Sequence, residues 1–435
     1  MSEFKGVRIA NRAILWGRCN ITEGNKDRVI LHCDCNSFFA SVETVLHPEF
    51  KNVPMAVCGS IDDRHGIVLA KNELAKKYGI ETAETVYSAK RKCPNLVIAK
   101  PHHREYIAYS QRVNEIYARY TDTIEPFGID ESWLDVTASQ RHFGDGITIA
   151  NKIREDVKRE IGITVSVGVS FNKVFAKLGS DYKKPDAVTV ISRENYKEIA
   201  YPLPARTLLF VGAKTDAALS SLGIKTIGDI AASDEELLKM RLGKAGEMLY
   251  KYASGNDDSP VAASDDTRDV KSVGNGFTFR HDLVTLDECR IGIGYLSEEI
   301  AQRLRKRGLL ASTVQLTIKD EYLRTLQRQR AISPPTDISR EISELALNIL
   351  KENWNIGKPI RMLTVTALGL TSAESSVSQI SFFDDSTDDE KRMKDKKREE
   401  TVDKIRQKFG GKSIVNAAIM DSDIGVYDKK REEDN

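Results

Sequence analysis

Val29-Ile30-Leu31-His32-Cys33-Asp34-Cys35-Asn36-Ser37-Phe38-Phe39-Ala40-Ser41-Val42-Glu43 is the stretch on which the fold turns. Its first half is apolar and β-rich and ends on an acid, as a buried strand does. Its second half, from Ser37, opens a helix. Side chains alternate along a strand, so Cys33 and Cys35 share one face and Asp34 takes the other. The two cysteines therefore read as core packing rather than as a redox or metal site.

Further along, Gly128-Ile129-Asp130-Glu131-Ser132-Trp133-Leu134-Asp135-Val136 is a second strand-like run, and Ile163-Thr164-Val165-Ser166-Val167-Gly168-Val169 a third. Strands mixed with helical stretches in this order predict an α/β or an α+β core. Residues 206–256 change character to short helical pieces punctuated by glycine, as in Val211-Gly212-Ala213-Lys214 and Leu222-Gly223-Ile224. A helix–hairpin–helix, whose exposed backbone N–H groups suit a phosphate, and an ordinary small helical bundle both fit them. Segment 257–270 is polar and acidic and reads as a linker.

At 435 residues the chain suits several modules. A net charge of +1 means that any polyanion must be held by local clusters of Lys and Arg. Over 271–372 basic residues outnumber acids by four. Arg303, Arg305, Lys306 and Arg307 cluster at a helix end, and Arg324, Arg328 and Arg330 lie along one extended stretch; a polyanion-binding face and a solvated surface account for either equally. Six cysteines without a CxxC pair, no apolar opening segment, no membrane-length apolar run and a mean hydropathy of −0.38 predict a soluble, cytoplasmic protein. Beyond Ala373 the chain is charge-dense, with a small helix expected to carry Val402, Ile405 and Phe409 on one face.

Three acids stand out: Asp34 at one strand end and the adjacent pair Asp130-Glu131, which can reach one site together only from a turn. Carboxylates gathered at strand ends suit Mg²⁺, which is hard, octahedral and usually bound by one or two acids plus substrate phosphates. Two such ions, about 3.5–4 Å apart, clamp the attacking and leaving oxygens of a phosphoryl transfer.

The strings from Asp34 to Glu43, from Gly128 to Asp135, and Ser166-Val167-Gly168-Val169-Ser170-Phe171-Asn172-Lys173-Val174-Phe175-Ala176-Lys177-Leu178 resemble, in order and spacing, the Y-family (translesion) DNA polymerases, particularly those like bacterial DNA polymerase IV. The resemblance covers residues 29 to about 372. It implies a right-hand polymerase: a palm at 29–37 and 101–193, fingers at 38–100, a helix–hairpin–helix thumb at 194–258, a linker at 259–270 and a little finger at 271–372, with residues 1–28 as an extension and 373–435 as a tail. It implies that Asp34 and Asp130 bind metal with the main-chain carbonyl of Cys35, and that Glu131 assists at the primer 3′-hydroxyl. The cofactor would be two Mg²⁺ ions, with Mn²⁺ a substitute. Phe38 and Phe39 would line the nucleotide site, the Phe39 ring excluding a 2′-hydroxyl, although core packing also explains an aromatic residue there. Lys184 matches a lysine that reaches the triphosphate, where a solvated lysine is the plain alternative, and Lys76 stands where relatives place an arginine.

The fingers segment departs from the pattern. Ala70 and Glu73 stand where many relatives carry a hydroxyl residue and a tyrosine, and Lys76 keeps the charge but loses the bidentate fork. An acid at Glu73 facing the site would repel a triphosphate, and Lys71 is a candidate replacement cation. The bulky Ile67-Val68-Leu69 would narrow the range of lesions admitted. No second set of acids suggests a proofreading exonuclease.

The expected function is template-directed, low-fidelity lesion-bypass synthesis on primer–template DNA from deoxynucleoside triphosphates. A catalytically weak accessory protein that binds DNA and the clamp is the alternative. Gln379-Ile380-Ser381-Phe382-Phe383 resembles the short peptide by which bacterial polymerases dock on the sliding clamp, with Gln379, Ile380, Phe382 and Phe383 as its contacts. Folding of the two phenylalanines back onto the little finger is the other reading.

Overall fold

The computed structural model describes residues 28–59, 66–263, 270–373, 386–411, 413–420 and 422–426. They fall into two compact units, one within 28–263 and one within 270–426.

In the first unit, β1 (Ile30–Cys35) turns through Ser37, which adopts a left-handed φ of 49°, into α1 (Phe38–Leu46). Next come β2 (Met55–Cys58), β3 (Val68–Lys71), α2 (Glu73–Lys76), α3 (Val86–Lys92) and β4 (Val97–Ala99), whose strands form a small sheet of order β3-β2-β4. This layer has a core of its own around Ala56, Val68, Ile80 and Leu96. The chain continues through α4 (His103–Tyr117), β5 (Ile124–Pro126), β6 (Glu131–Asp135), α5 (Gln140–Phe143), α6 (Gly146–Ile161), β7 (Val165–Ser170), α7 (Lys173–Tyr182) and β8 (Val188–Ile191). These strands and β1 make a five-stranded sheet of order β5-β6-β1-β7-β8, with β1 antiparallel to both neighbours.

Alternation along β1 decides what each face holds. Leu31, Cys33 and Cys35 pack with Val113 and Tyr117 of α4 and with Ile149 and Ile153 of α6. Ile30 packs with Trp133 and Ala176 on the other face, where His32 Nδ1 also lies 2.8 Å from Ser180 Oγ of α7. The expected division between the cysteines and Asp34 is thus the division between the two sides of the sheet. Helix α7 begins at Asn172, whose side chain accepts the Phe175 N–H. It approaches β7 closely because Gly168 has no side chain: a Cβ there would sit 1.8 Å from the Ala176 carbonyl oxygen.

Five short helices follow: α8 (Tyr196–Ala200), α9 (Ala213–Ser221), α10 (Ile227–Ala232), α11 (Glu235–Leu242) and α12 (Lys244–Ala253). They enclose a core that includes Leu219, Ile227, Leu238 and Leu249. Gly223 and Gly243 sit at helix ends with φ of 79° and 64°, as the glycine punctuation predicts. Residues 257–262, polar enough to read as free linker, are held down instead. Arg28 donates to the carbonyls of Asp257 and Ser259, Glu125 accepts the Ala262 N–H, and Val261 is buried against Ile30 and Trp133.

The second unit contains β9 (Ser272–Leu283), α13 (Leu286–Lys306), β10 (Leu309–Asp320), β11 (Thr325–Thr336), α14 (Ser339–Asn353) and β12 (Ile360–Ser372). The strands form an antiparallel sheet of order β11-β10-β12-β9. Helix α13 buries Cys289, Ile293, Leu296, Ile300 and Leu304, one stripe at helical spacing. It is followed by α15 (Ser386–Phe409) and α16 (Ala417–Met420).

The expected small tail helix is 24 residues long and is held mainly by charge. Val402 and Ile405 are only half-buried, and Phe409 is 67% exposed, so the three do not form a buried stripe. Arg305, read from sequence as part of a surface cluster, lies inside: its guanidinium pairs with Glu399 and, at 2.6 Å, with Asp403. Glu399 also accepts the Ser339 N–H at 3.0 Å, capping α14, which has no side-chain cap of its own. Among the described residues no helix is long and apolar enough to cross a membrane.

The contact between β7 and α7 gives a direct test. Gly168→Ala forces the backbone of α7 away from the sheet, and overpacking of this kind costs roughly 1–3 kcal/mol or more. Circular dichroism melting should show the first unit unfolding at a clearly lower temperature; an unchanged melt means that the close approach carries no constraint.

Candidate active site

The three acids converge where β1 and β6 end. Asp34 and Glu131 are register partners across the two strands, and Asp130 lies in the turn just before β6. The Cys35 N–H donates to the Asp130 carbonyl at 3.0 Å, which ties that turn to β1. Adjacent residues that would diverge on a regular strand are brought to one place by the turn, as the sequence required.

Basic groups surround the acids. Lys184 Nζ lies 2.7 Å from Asp34 Oδ2 and 2.7 Å from Asp181 Oδ1. Lys177 Nζ lies 2.6 Å from Glu131 Oε2, and buried His32 presents Nε2 to the same oxygen at 3.3 Å. Burial pushes Asp34 up to about 6, Lys184 working against that and Glu131 adding to it. Burial also raises Asp130, and the neighbouring Glu131 raises it further. On Glu131, burial is outweighed by the contacts from His32 and Lys177, which bring it down to about 2. Burial lowers His32 to about 4 and keeps its ring neutral.

The donors fit a hard divalent cation. Asp34 and Asp130 are both raised mainly by burial, so a cation between them would relieve a cost already present. With Lys184 on Asp34 and Lys177 on Glu131, no group of three His, Cys, Asp or Glu side chains among the described residues converges closely enough to enclose an ion.

These acids line a cleft of about 530 Å³, shared by Cys35, Phe38, Phe39, Lys76 and Lys184 and by Leu69, Ala70, Lys71 and Glu73 from the smaller sheet and its helix. Phe38 is nearly fully buried and belongs mainly to the core. Phe39 is half-buried and stacks on Tyr106, with ring centroids 4.1 Å apart and 13° between planes. The Tyr106 hydroxyl donates to Glu43 Oε1 at 2.5 Å, and His102 Nδ1 lies 2.8 Å from the same oxygen, so Phe39 rests on an anchored ring. Lys76 Nζ is 2.5 Å from Glu73 Oε1, which also accepts from Ser37 Oγ at 3.1 Å. Lys71 Nζ donates to Thr82 Oγ1 at 2.9 Å. Gln379, Ile380, Phe382 and Phe383 lie outside the described residues.

His32, Lys177 and the Tyr106–Glu43 pair escaped the sequence reading. His32 precedes Asp34 by two positions and so shares its face, a signal that alternation could have supplied. Tyr106 and Glu43 come together only through packing of α1 on α4.

Residues 33–181 match the impB/mucB/samB family, and residues 270–382 match its C-terminal domain. The DNA polymerase IV of Acetivibrio thermocellus is 50% identical over 393 residues, covering 90% of this chain and 98% of that protein. The DNA polymerase IV of Clostridium kluyveri is 33% identical over 395 residues, with coverage of 90% and 98%. A solved Y-family DNA polymerase chimera superimposes with a TM-score of 0.69 at 24% identity, over 79% of this chain and 99% of that one, and establishes the shared right-hand fold. Relatives this similar over nearly their whole length, together with acids meeting at the β1–β6 end, place the chain in the impB/mucB/samB family, among the DNA polymerase IV members of the Y-family DNA polymerases.

Proposed function

We propose that this lesion-bypass DNA-directed DNA polymerase adds deoxynucleoside monophosphates to a primer 3′-hydroxyl, with release of pyrophosphate, in the cleft at the ends of β1 and β6. The observation that carries this reading is the meeting there of Asp34, Asp130 and Glu131 beside a lysine and an anchored aromatic ring.

Y-family polymerases are metal-dependent, and here two Mg²⁺ ions, with Mn²⁺ a substitute, would be held by Asp34, Asp130 and the carbonyl of Cys35. They would activate the 3′-oxygen and neutralise phosphate charge. Glu131, kept ionised and held by Lys177, is positioned for the 3′-hydroxyl. Lys184 bridges Asp34 and Asp181 and is suited to pass to a triphosphate, exchanging carboxylate for phosphate oxygens. Phe39 is backed by the flat ring of Tyr106, which supports the reading that its ring would exclude a 2′-hydroxyl. Catalysis is then mainly positioning and charge neutralisation.

On this reading 29–37 and 101–193 form the palm, 38–100 the fingers, 194–258 the thumb and 271–372 the little finger, the last two gripping DNA through phosphates without reading bases. The Glu73–Lys76 pair is the one feature that favours a weak, accessory role, since it neutralises a cation of the cleft. Primer extension by the purified chain decides between the two: DNA binding without extension in Mg²⁺ or Mn²⁺ would establish the accessory role.

Asp34→Ala and Asp130→Ala should each slow extension by about a thousandfold or more, the scale of several kcal/mol of lost charge stabilisation, and Glu131→Ala should also abolish useful extension. Duplex binding, measured by anisotropy, should be retained in all three; near-normal extension by Asp130→Ala would end the metal assignment. Phe39→Ala should admit ribonucleotides while deoxynucleotide use survives, measured by competing the two, whereas unchanged sugar selectivity makes Phe39 structural. Replacing Phe382 and Phe383 with Ala should leave extension of short primers unchanged and remove stimulation by the bacterial sliding clamp. Equal clamp affinity of the substituted and unsubstituted chains would exclude that docking site.

A further inference from the structure

Three lysines line the cleft: Lys184, Lys76 and Lys71. They differ in what already meets their charge. Lys184 is shared between Asp34 and Asp181, and Lys76 is paired with Glu73, itself fixed by the Ser37 hydroxyl. Lys71 is held at hydrogen-bond distance only by the neutral Thr82 hydroxyl, and among the described residues no carboxylate forms an ion pair with it. Glu73, Glu81 and Glu84 act on it from longer range; of these, Glu73 is taken by Lys76 and Glu84 by Lys92.

Lys71 is also rigidly rooted and partly withdrawn from water. It ends β3, paired with Ala56 of β2. The next residue, Asn72, accepts the N–H groups of Met55 and Ala75 and donates to the Val53 carbonyl, pinning the strand end. Burial, with nearby Lys76, lowers the Lys71 pKa. A half-buried ammonium that lacks an acid partner has the most to gain from phosphate oxygens, because they restore lost solvation and supply opposite charge together. Lys76 would first have to give up Glu73, whose carboxylate would then face the triphosphate unpaired.

We propose that Lys71, rather than Lys76, is the principal contact from the smaller sheet to the triphosphate of the incoming nucleotide, the Glu73–Lys76 pair remaining closed on itself. This deepens the polymerase reading and rests on it. The position is occupied here by a lysine on a strand in place of a cation on the four-residue helix α2.

The test is single-nucleotide insertion on a primer–template, resolved into KM and kcat, together with equilibrium binding of a non-hydrolysable deoxynucleoside triphosphate analogue to the enzyme–DNA complex. Lys71→Gln should raise both KM and the analogue's Kd by about tenfold or more, the worth of one charge-assisted hydrogen bond, with kcat held within about threefold. Lys71→Arg should recover most of the loss, and Lys76→Gln should raise KM by at least about fivefold less than Lys71→Gln. Thermal melts of the variants should match the unsubstituted chain. A Lys71→Gln enzyme with unmoved KM and Kd, or a larger effect from Lys76→Gln, overturns the assignment. A chain that inserts no nucleotide before any substitution refutes the polymerase reading instead, so the two failures are distinct.

Discussion

Everything at the candidate active site depends on the antiparallel register of β1 between β6 and β7. That ladder sets Asp34 opposite Glu131, lets the Cys35 N–H reach back to the Asp130 carbonyl, and turns Ile30, His32 and Asp34 toward α7. A shift of one residue would send Asp34 into the apolar side beside α4 and α6 and turn a cysteine side chain toward α7 in its place. Such a slip buries an acid among Val113, Ile149 and Ile153, so the core itself protects the register. Gly168 works in the same direction, because only a strand without a side chain at that point lets α7 lie close enough for Ser180 and Lys177 to reach His32 and Glu131.

The cleft is an electrostatic balance rather than a bare acid cluster. Each acid except Asp130 has a lysine within ion-pair distance, and the two outcomes differ in a useful way. Glu131 is driven strongly ionised and is held by Lys177. Asp34 and Asp130 remain raised, mainly by burial, so the folded protein stores an unmet preference for positive charge at that point. On the proposed function, preorganisation of this kind would suit a site that receives metal and triphosphate together, since the energy spent in burying the acids would be recovered when their counter-charges arrive.

The second unit shows charge used for structure. Arg305 and the buried Glu399, with half-buried Asp403 and Ser339, form a network through which α15 is fastened and α14 is capped. Breaking a buried pair is costly because the remaining partner is left uncompensated, typically by about 3–5 kcal/mol. The same network draws Arg305 in from the surface, whereas Arg328 stays exposed along β11.

The sequence by itself determined the strand carrying Asp34, the turn carrying Asp130 and Glu131, the α+β class and the family, because these rest on local alternation, turn placement and long motifs in order. It could also have revealed His32, two positions from Asp34 on the same face. Only the tertiary structure decided the partners: Lys184 with Asp34, Lys177 with Glu131, Glu73 with Lys76, Tyr106 behind Phe39, and Glu399 on α14. Glu73 and Lys76 are three residues apart and still were not paired from sequence, since Glu73 could equally have faced the triphosphate. The other pairs join residues 46 to 150 positions apart, where composition says that a lysine and an acid exist but only packing brings one within 3 Å of the other. Charge at a distance is not written in any local pattern, and so the meeting of the acids at one place was legible while their electrostatic setting was not.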